Sequence, residues 1–152
     1  VTQIDFYILP DDADESRLTL ACRLAGKAVQ QRLGVFVLAA TEADAHKLDE
    51  LLWTHAQNSF LPHRFAWEAD DTAIDEPIVI GCPERAVADA IENGSGPAWD
   101  LIINLGAEVP STFGRYQRLA EVVDAKPERR EQGRERYRFY RDRGYELNTH
   151  QL

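Results

Sequence analysis

Apolar residues fall along this chain in short continuous runs, separated by stretches with a helical period. The first run, IDFYIL from Ile4 to Leu9, is β-branched and aromatic and breaks at Pro10 into an acidic loop of Asp11, Asp12, Asp14 and Glu15. It reads as a buried strand followed by a turn. From Ser16, placed to cap a helix, Leu18, Ala21, Cys22, Ala25, Ala28 and Val29 recur at helical spacing until Gly34 stops the pattern. VFVLAA, from Val35 to Ala40, is a second strand-length run, and Thr41 then caps a helix carrying Ala45, Leu48, Leu51, Leu52 and Trp53. RFAWEA predicts a weaker third strand, PIVIGC (Pro77 to Cys82) a fourth and WDLIINL (Trp99 to Leu105) a fifth. PERAVADAIENGSG, between the last two, reads as a short helix or a loop. After Pro110, STFGRYQRLAEVV predicts a helix capped at Ser111 or Thr112, and Pro127 starts a last helix that Gly144 ends.

Strand alternating with helix implies parallel strands joined by right-handed crossovers. The expectation is an α/β fold with a mostly parallel sheet of about five strands flanked by helices. At 152 residues, with no repeat and no low-complexity linker, the chain reads as one domain over residues 1–152 with an ordinary core. Cys22 and Cys82 have no C-x-x-C spacing, and Cys22 sits in an apolar helical pattern, so a reducing, cytoplasmic setting is expected. No apolar run approaches the roughly 20 residues of a membrane span, and VTQIDFYIL lacks the basic head of a signal peptide.

A parallel sheet invites a nucleotide, yet the loop after the first strand, PDDADES, offers carboxylates where a phosphate cradle needs glycines and amides. Neither G-x-G-x-x-G nor G-x-x-x-x-G-K-[ST] occurs. The same acids, joined by Asp5 or by Asp70 and Asp71, leave open a divalent-metal cluster and hence a metal-dependent hydrolase. Against this stands the ordinary role of acidic loops, which is solvation. His46, His55, His63 and His150 form no H-E-x-x-H pair, and no serine lies in a G-x-S-x-G turn. No catalytic residue, metal site or cofactor is therefore expected, and a binding role gains weight.

Charge changes the picture most. The chain carries a net −9, yet eight of its seventeen basic residues lie between residues 126 and 143 beside four acids, a local +4 that leaves −13 elsewhere. Phosphate backbones are repelled by such a protein on average, so broad nucleic-acid binding is disfavoured. Fourteen of the seventeen cations are arginine. At 100° per residue, Arg130, Arg134, Tyr137 and Arg141 share one stripe of the last helix. The plain account is a solvated helix paired with its own glutamates. Arginine beside an aromatic also suits planar carboxylates next to apolar contacts, which points to an acidic peptide. A second unusual segment, LDELLWTHAQNSFLPHRFAW, gathers Trp53, Phe60, Phe65 and Trp67 around a helix end and a loop. Phe65 and Trp67 alternate along a strand and read as core. Phe60 and Leu61, bracketed by polar loop residues, read with Trp53 as a protein-docking site.

DFYIL near the start, HKLDELLW followed by SFLPH, and RERYRFYRDRGYELNT near the end stand in an order and spacing similar to the chi subunit of the bacterial DNA polymerase III holoenzyme. The resemblance covers nearly the whole chain except residues 68–96. It implies a Rossmann-like domain without a phosphate-binding loop and without catalysis. It also implies a cytoplasmic link between the clamp loader and single-stranded DNA-binding protein, made by gripping that protein's acidic C-terminal tail, which ends in a hydrophobic residue. On this resemblance the tail site would use Arg130, Arg134 and Tyr137, with Lys126 nearby and Arg141 on the same stripe. The site for the psi subunit, or an equivalent clamp-loader component, would use Phe60 with Trp53 and Leu61.

Overall fold

The structure, a computed structural model, describes residues 1–54, 61–68, 76–87 and 100–152. Strand β1 (Gln3–Ile8) leads through helix α1 (Asp14–Gln30) to β2 (Val35–Leu38), and α2 (Glu42–Thr54) leads to β3 (His63–Phe65). β4 (Ile78–Gly81), β5 (Leu101–Asn104), a 3-10 turn at Phe113–Arg115 and β6 (Arg118–Val123) follow. Helix α3 (Pro127–Asp142) and β7 (Leu147–Gln151) complete the order among the described residues. Seven strands form one open sheet in the order β3-β4-β2-β5-β6-β1-β7, and every pairing is parallel. The α/β architecture is as expected; the sheet is two strands wider.

Both additional strands correct the sequence reading. RLAEVV is not helical: after the 3-10 turn it enters the sheet between β5 and β1, and its side chains alternate between two cores. Ala120 and Val122 pack on the face covered by α1 and α2, while Leu119 and Val123 pack on the face covered by α3. The helical reading failed at Glu121, whose charge resembles a solvent-facing position but is fully buried with partners from other elements. β7 has no apolar run and among the described residues pairs only with β1, at the sheet edge.

The helix ends follow local chemistry. α1 starts at Asp14, with Ala13 at the cap and Asp14 and Glu15 in the first turn, where the helix dipole favours them. Ser16 is therefore inside the helix and is not its cap. At the other end Leu33 N–H donates to Ala28 and Arg32 N–H to Val29, both at 2.9 Å, in a Schellman closure. Arg32 supplies the left-handed residue, φ 63°, that a glycine would occupy more cheaply. α2 begins as predicted, with Asp44 N–H donating to Thr41 Oγ1 at 3.1 Å. α3 also ends as predicted, on Gly144 at φ 82°.

Cys22 lies in the core under α1, and burial pushes its thiol up to about 12. The thiolate is the reactive species. A thiol-exchange reagent at neutral pH should thus label Cys22 only after denaturant is added; prompt labelling of the folded protein would contradict this packing. No helix among the described residues is long and apolar enough to cross a membrane.

Candidate functional site

Helix α3 carries the basic segment, and the fold sorts its cations by what they touch. Arg136 points inward and is buried. Its Nε donates to Glu121 Oε1 at 2.9 Å and its Nη1 to the Ala107 carbonyl at 2.9 Å. Glu121 accepts further bonds from the Tyr140 hydroxyl at 2.6 Å and the Asn104 amide at 3.0 and 3.1 Å. Burial pushes the Glu121 carboxyl above its ordinary range, while the Arg136 charge and these hydrogen bonds pull it down. Burial, then the Glu121 charge, raises the Tyr140 phenol, which keeps its proton for donation. This network fixes the inner face of α3 against β5 and β6.

Four other cations are occupied at the helix ends. Arg129 pairs with the buried Asp124, and Lys126 with Asp14 at 3.1 Å, across to the start of α1. Arg141 pairs with its neighbour Asp142 at 3.4 Å, and Arg143 lies 3.5 Å from the centre of the Phe139 ring. Among the described residues Arg130 is held by carbonyls alone: its Nη2 donates to Leu9 O at 3.0 Å and its Nε to Asp124 O at 3.3 Å, and no carboxylate pairs with it. Arg134 and Arg138 are exposed and make no ion pair among the described residues.

Arg130, Arg134 and Tyr137 border a groove of ≈ 210 Å³ between α3 and the edge of the sheet. Phe6 and Ile8 of β1 and Val123 of β6 form its floor, and Thr149 and Gln151 of β7 its far wall. Phe6 meets the Tyr137 ring edge to face at 5.2 Å and fixes its angle. Gly133 lies between the two arginines; a Cβ there would come within 3.0 Å of Val123 Cγ2, so glycine is what lets the helix approach the sheet this closely. The result is an apolar floor under a cationic rim. An apolar cavity of about 150 Å³ takes up benzene, so the groove has room for one large side chain. Guanidinium groups on its rim suit the carboxylates of the chain that delivers it.

Of the residues proposed for this site from sequence, the structure brings together Arg130, Arg134 and Tyr137. Lys126 and Arg141 do not line the groove; their contacts are the ion pairs given above. The floor and far wall went unread, because they come from strands distant in sequence. Gly133 was the available signal: a glycine inside a charged helix costs about 1 kcal/mol relative to alanine and marks a close approach.

Two residues of the second proposed site, Trp53 and Leu61, separate. Trp53, in the last turn of α2, is 58% exposed and meets the His63 ring edge to face at 5.7 Å. Leu61 is a correction: it turns into the core above α1, close to Gly26, because an apolar side chain just ahead of β3 gains more from that packing than from the surface. Phe60 lies outside the described residues. Phe65 and Trp67 stack at 4.5 Å and pack against the core, as expected. The acids of the first loop do not converge with Asp5 of β1: Asp5 is buried with Arg118 at 3.3 Å and His150 at 3.0 Å, and Asp14 is taken by Lys126. Among the described residues no group of three or more His, Cys, Asp or Glu side chains is placed to hold a metal ion, and Asp70 and Asp71 lie outside them.

Comparison with known proteins supplies an independent line. Residues 1–148 match the family model described as DNA polymerase III chi subunit, HolC. A DNA polymerase III subunit chi from Pseudomonas aeruginosa is 38% identical over 152 residues, covering 100% of this chain and 98% of that one. The subunit chi of Haemophilus influenzae is 30% identical over 144 residues (95% and 93% of the two chains), and that of Escherichia coli 27% over 148 residues (95% and 94%).

Proposed function

The chain belongs to the DNA polymerase III chi-subunit family, a replication accessory subunit, and on that footing we propose that it is a non-catalytic adaptor that binds the acidic C-terminal tail of single-stranded DNA-binding protein. The observation that carries this is the groove of Arg130, Arg134 and Tyr137, whose rim charges have no carboxylate partner among the described residues while an apolar floor lies directly beneath them. A tail of carboxylates ending in a hydrophobic residue satisfies both halves at once. Work in the cytoplasm, beside the replication fork, follows from this role.

The adaptor's second contact joins it to the clamp loader, through psi or an equivalent component, at the exposed Trp53 and at Phe60. An exposed aromatic contributes little to folding but carries much of an interface's affinity. Trp53→Ala should therefore melt within a degree or two of the natural protein and bind the acidic tail normally, yet fail to co-purify with the clamp loader. A sharp fall in melting temperature would instead assign Trp53 to the fold.

The adaptor reading is tested by co-elution with full-length single-stranded DNA-binding protein and with a form lacking its tail. Co-elution with the first alone supports the proposal; equal retention of both forms would locate the contact elsewhere.

A further inference from the structure

β7 closes one side of the sheet and pairs with β1 from Ile4↔Leu147 to Ile8↔Gln151. The ladder is bounded by Ile4 N–H donating to Glu146 O and Leu152 N–H donating to Ile8 O. In a parallel pair successive residues of a strand turn their backbone groups alternately toward and away from the neighbour. The even-numbered residues here face β1, and Leu147, Thr149 and Gln151 turn their N–H and C=O groups outward. Thr149 and Gln151 are also the two β7 residues that line the groove. One wall of the groove thus presents side chains to its interior and unused backbone groups to the space beside it.

The edge is also unguarded. Natural edge strands are blunted by charge, proline, bulges or brevity. β7 reads Leu-Asn-Thr-His-Gln, with no proline, lysine, arginine or acid, whereas β3 at the opposite side is three residues long, follows Pro62 and contains Arg64. An edge free of acidic side chains beside the cations Arg130 and Arg134 is complementary to an extended acidic segment, which would be repelled by an acidic edge and needs no hydrophobic face of its own. Strand addition is a common way for a sheet to bind a peptide: main-chain bonds supply affinity and a side-chain pocket supplies specificity.

We infer that the acidic tail binds as an added strand on the outer edge of β7, hydrogen-bonded to the backbone of Thr149 and Gln151, while its terminal hydrophobic side chain enters the groove. The inference rests on the tail-binding reading above and deepens it. It makes the contact depend on the backbone of the tail as well as on its charges.

The experiment uses the full chain and a peptide copying the tail of the cognate single-stranded DNA-binding protein. Amide hydrogen exchange at saturating peptide should slow at Thr149 and Gln151 by about tenfold or more, and change little at Asn148 and His150, which are already bonded to β1. N-methylating alternate peptide residues should weaken binding about tenfold in one alternation and leave it intact in the other, as loss of one or two hydrogen bonds predicts. If the unmodified peptide binds but neither alternation matters and neither amide slows, the added strand is wrong and the groove reading stands. If the unmodified peptide does not bind, both fall. Protection of Thr149 and Gln151 that rises with protein concentration in the absence of peptide would assign the edge to a second copy of the chain and overturn the inference.

Discussion

Arg136→Met is expected to destabilise the protein by about 3 to 5 kcal/mol, the range for breaking a buried ion pair from one side. Arg136 is the sole cation bonded to Glu121 among the described residues, and Glu121 has no exposed surface to rehydrate. With the guanidinium gone, the upward push of burial on the Glu121 carboxyl is opposed only by Tyr140 and Asn104. The folded variant then holds a proton that the unfolded chain has already released, so folding takes up a proton above the ordinary carboxylate range. Stability of that kind is present below the unfolded carboxyl's pKa and is lost as the pH rises through the raised folded value. The penalty should accordingly be larger at pH 8 than at pH 5 in urea unfolding, and Glu121→Gln added to Arg136→Met should recover part of it at pH 8. An Arg136→Met protein as stable as the natural one at both pH values would mean that α3 is held by its aromatic contacts alone.

Arg134→Ala should leave folding almost untouched and weaken tail binding by roughly ten- to a hundredfold, as loss of a charge-assisted contact of about 1.5 to 3 kcal/mol implies. The contrast with Arg136 follows from burial: the two arginines lie half a turn apart on α3, one sealed against β6 and one exposed with no ion pair among the described residues. Arg130→Ala should be intermediate, since its guanidinium also ties α3 to the Leu9 carbonyl. Binding should weaken between low and physiological salt for the natural protein, and less steeply for Arg134→Ala, because part of the screened attraction has already gone.

That contrast marks how far the sequence could be read. Periodicity alone put Arg130, Arg134 and Tyr137 on one stripe, since the rim of the groove is a single helix face, but it extended that stripe to Arg141, which lies beyond the groove. The same periodicity gave no means of recognising Arg136 as a structural residue, because its partner Glu121 sits in a segment that looked helical. A buried charge disguises both elements that share it: the strand looks like a solvated helix and the helix like a uniformly charged surface. β1, β2, β4 and β5 were legible because strands buried on both faces show continuous apolar runs. β7 was not, since an edge strand with polar residues is defined by its pairing with β1. The groove's floor and far wall depend on β1, β6 and β7 lying together, an outcome of strand order that no local pattern encodes. The placement of Leu61 in the core shows the converse: polar neighbours suggested a surface loop, while its own side chain found space beside Gly26.

Calorimetric titration of the acidic tail peptide into the natural protein, Arg130→Ala, Arg134→Ala and the double variant tests the central claim most directly. Saturable one-to-one binding is expected for the natural protein, weakened in each single variant and lost in the double variant, with melting of Arg134→Ala unchanged. Undiminished affinity in the double variant would remove the groove from the account.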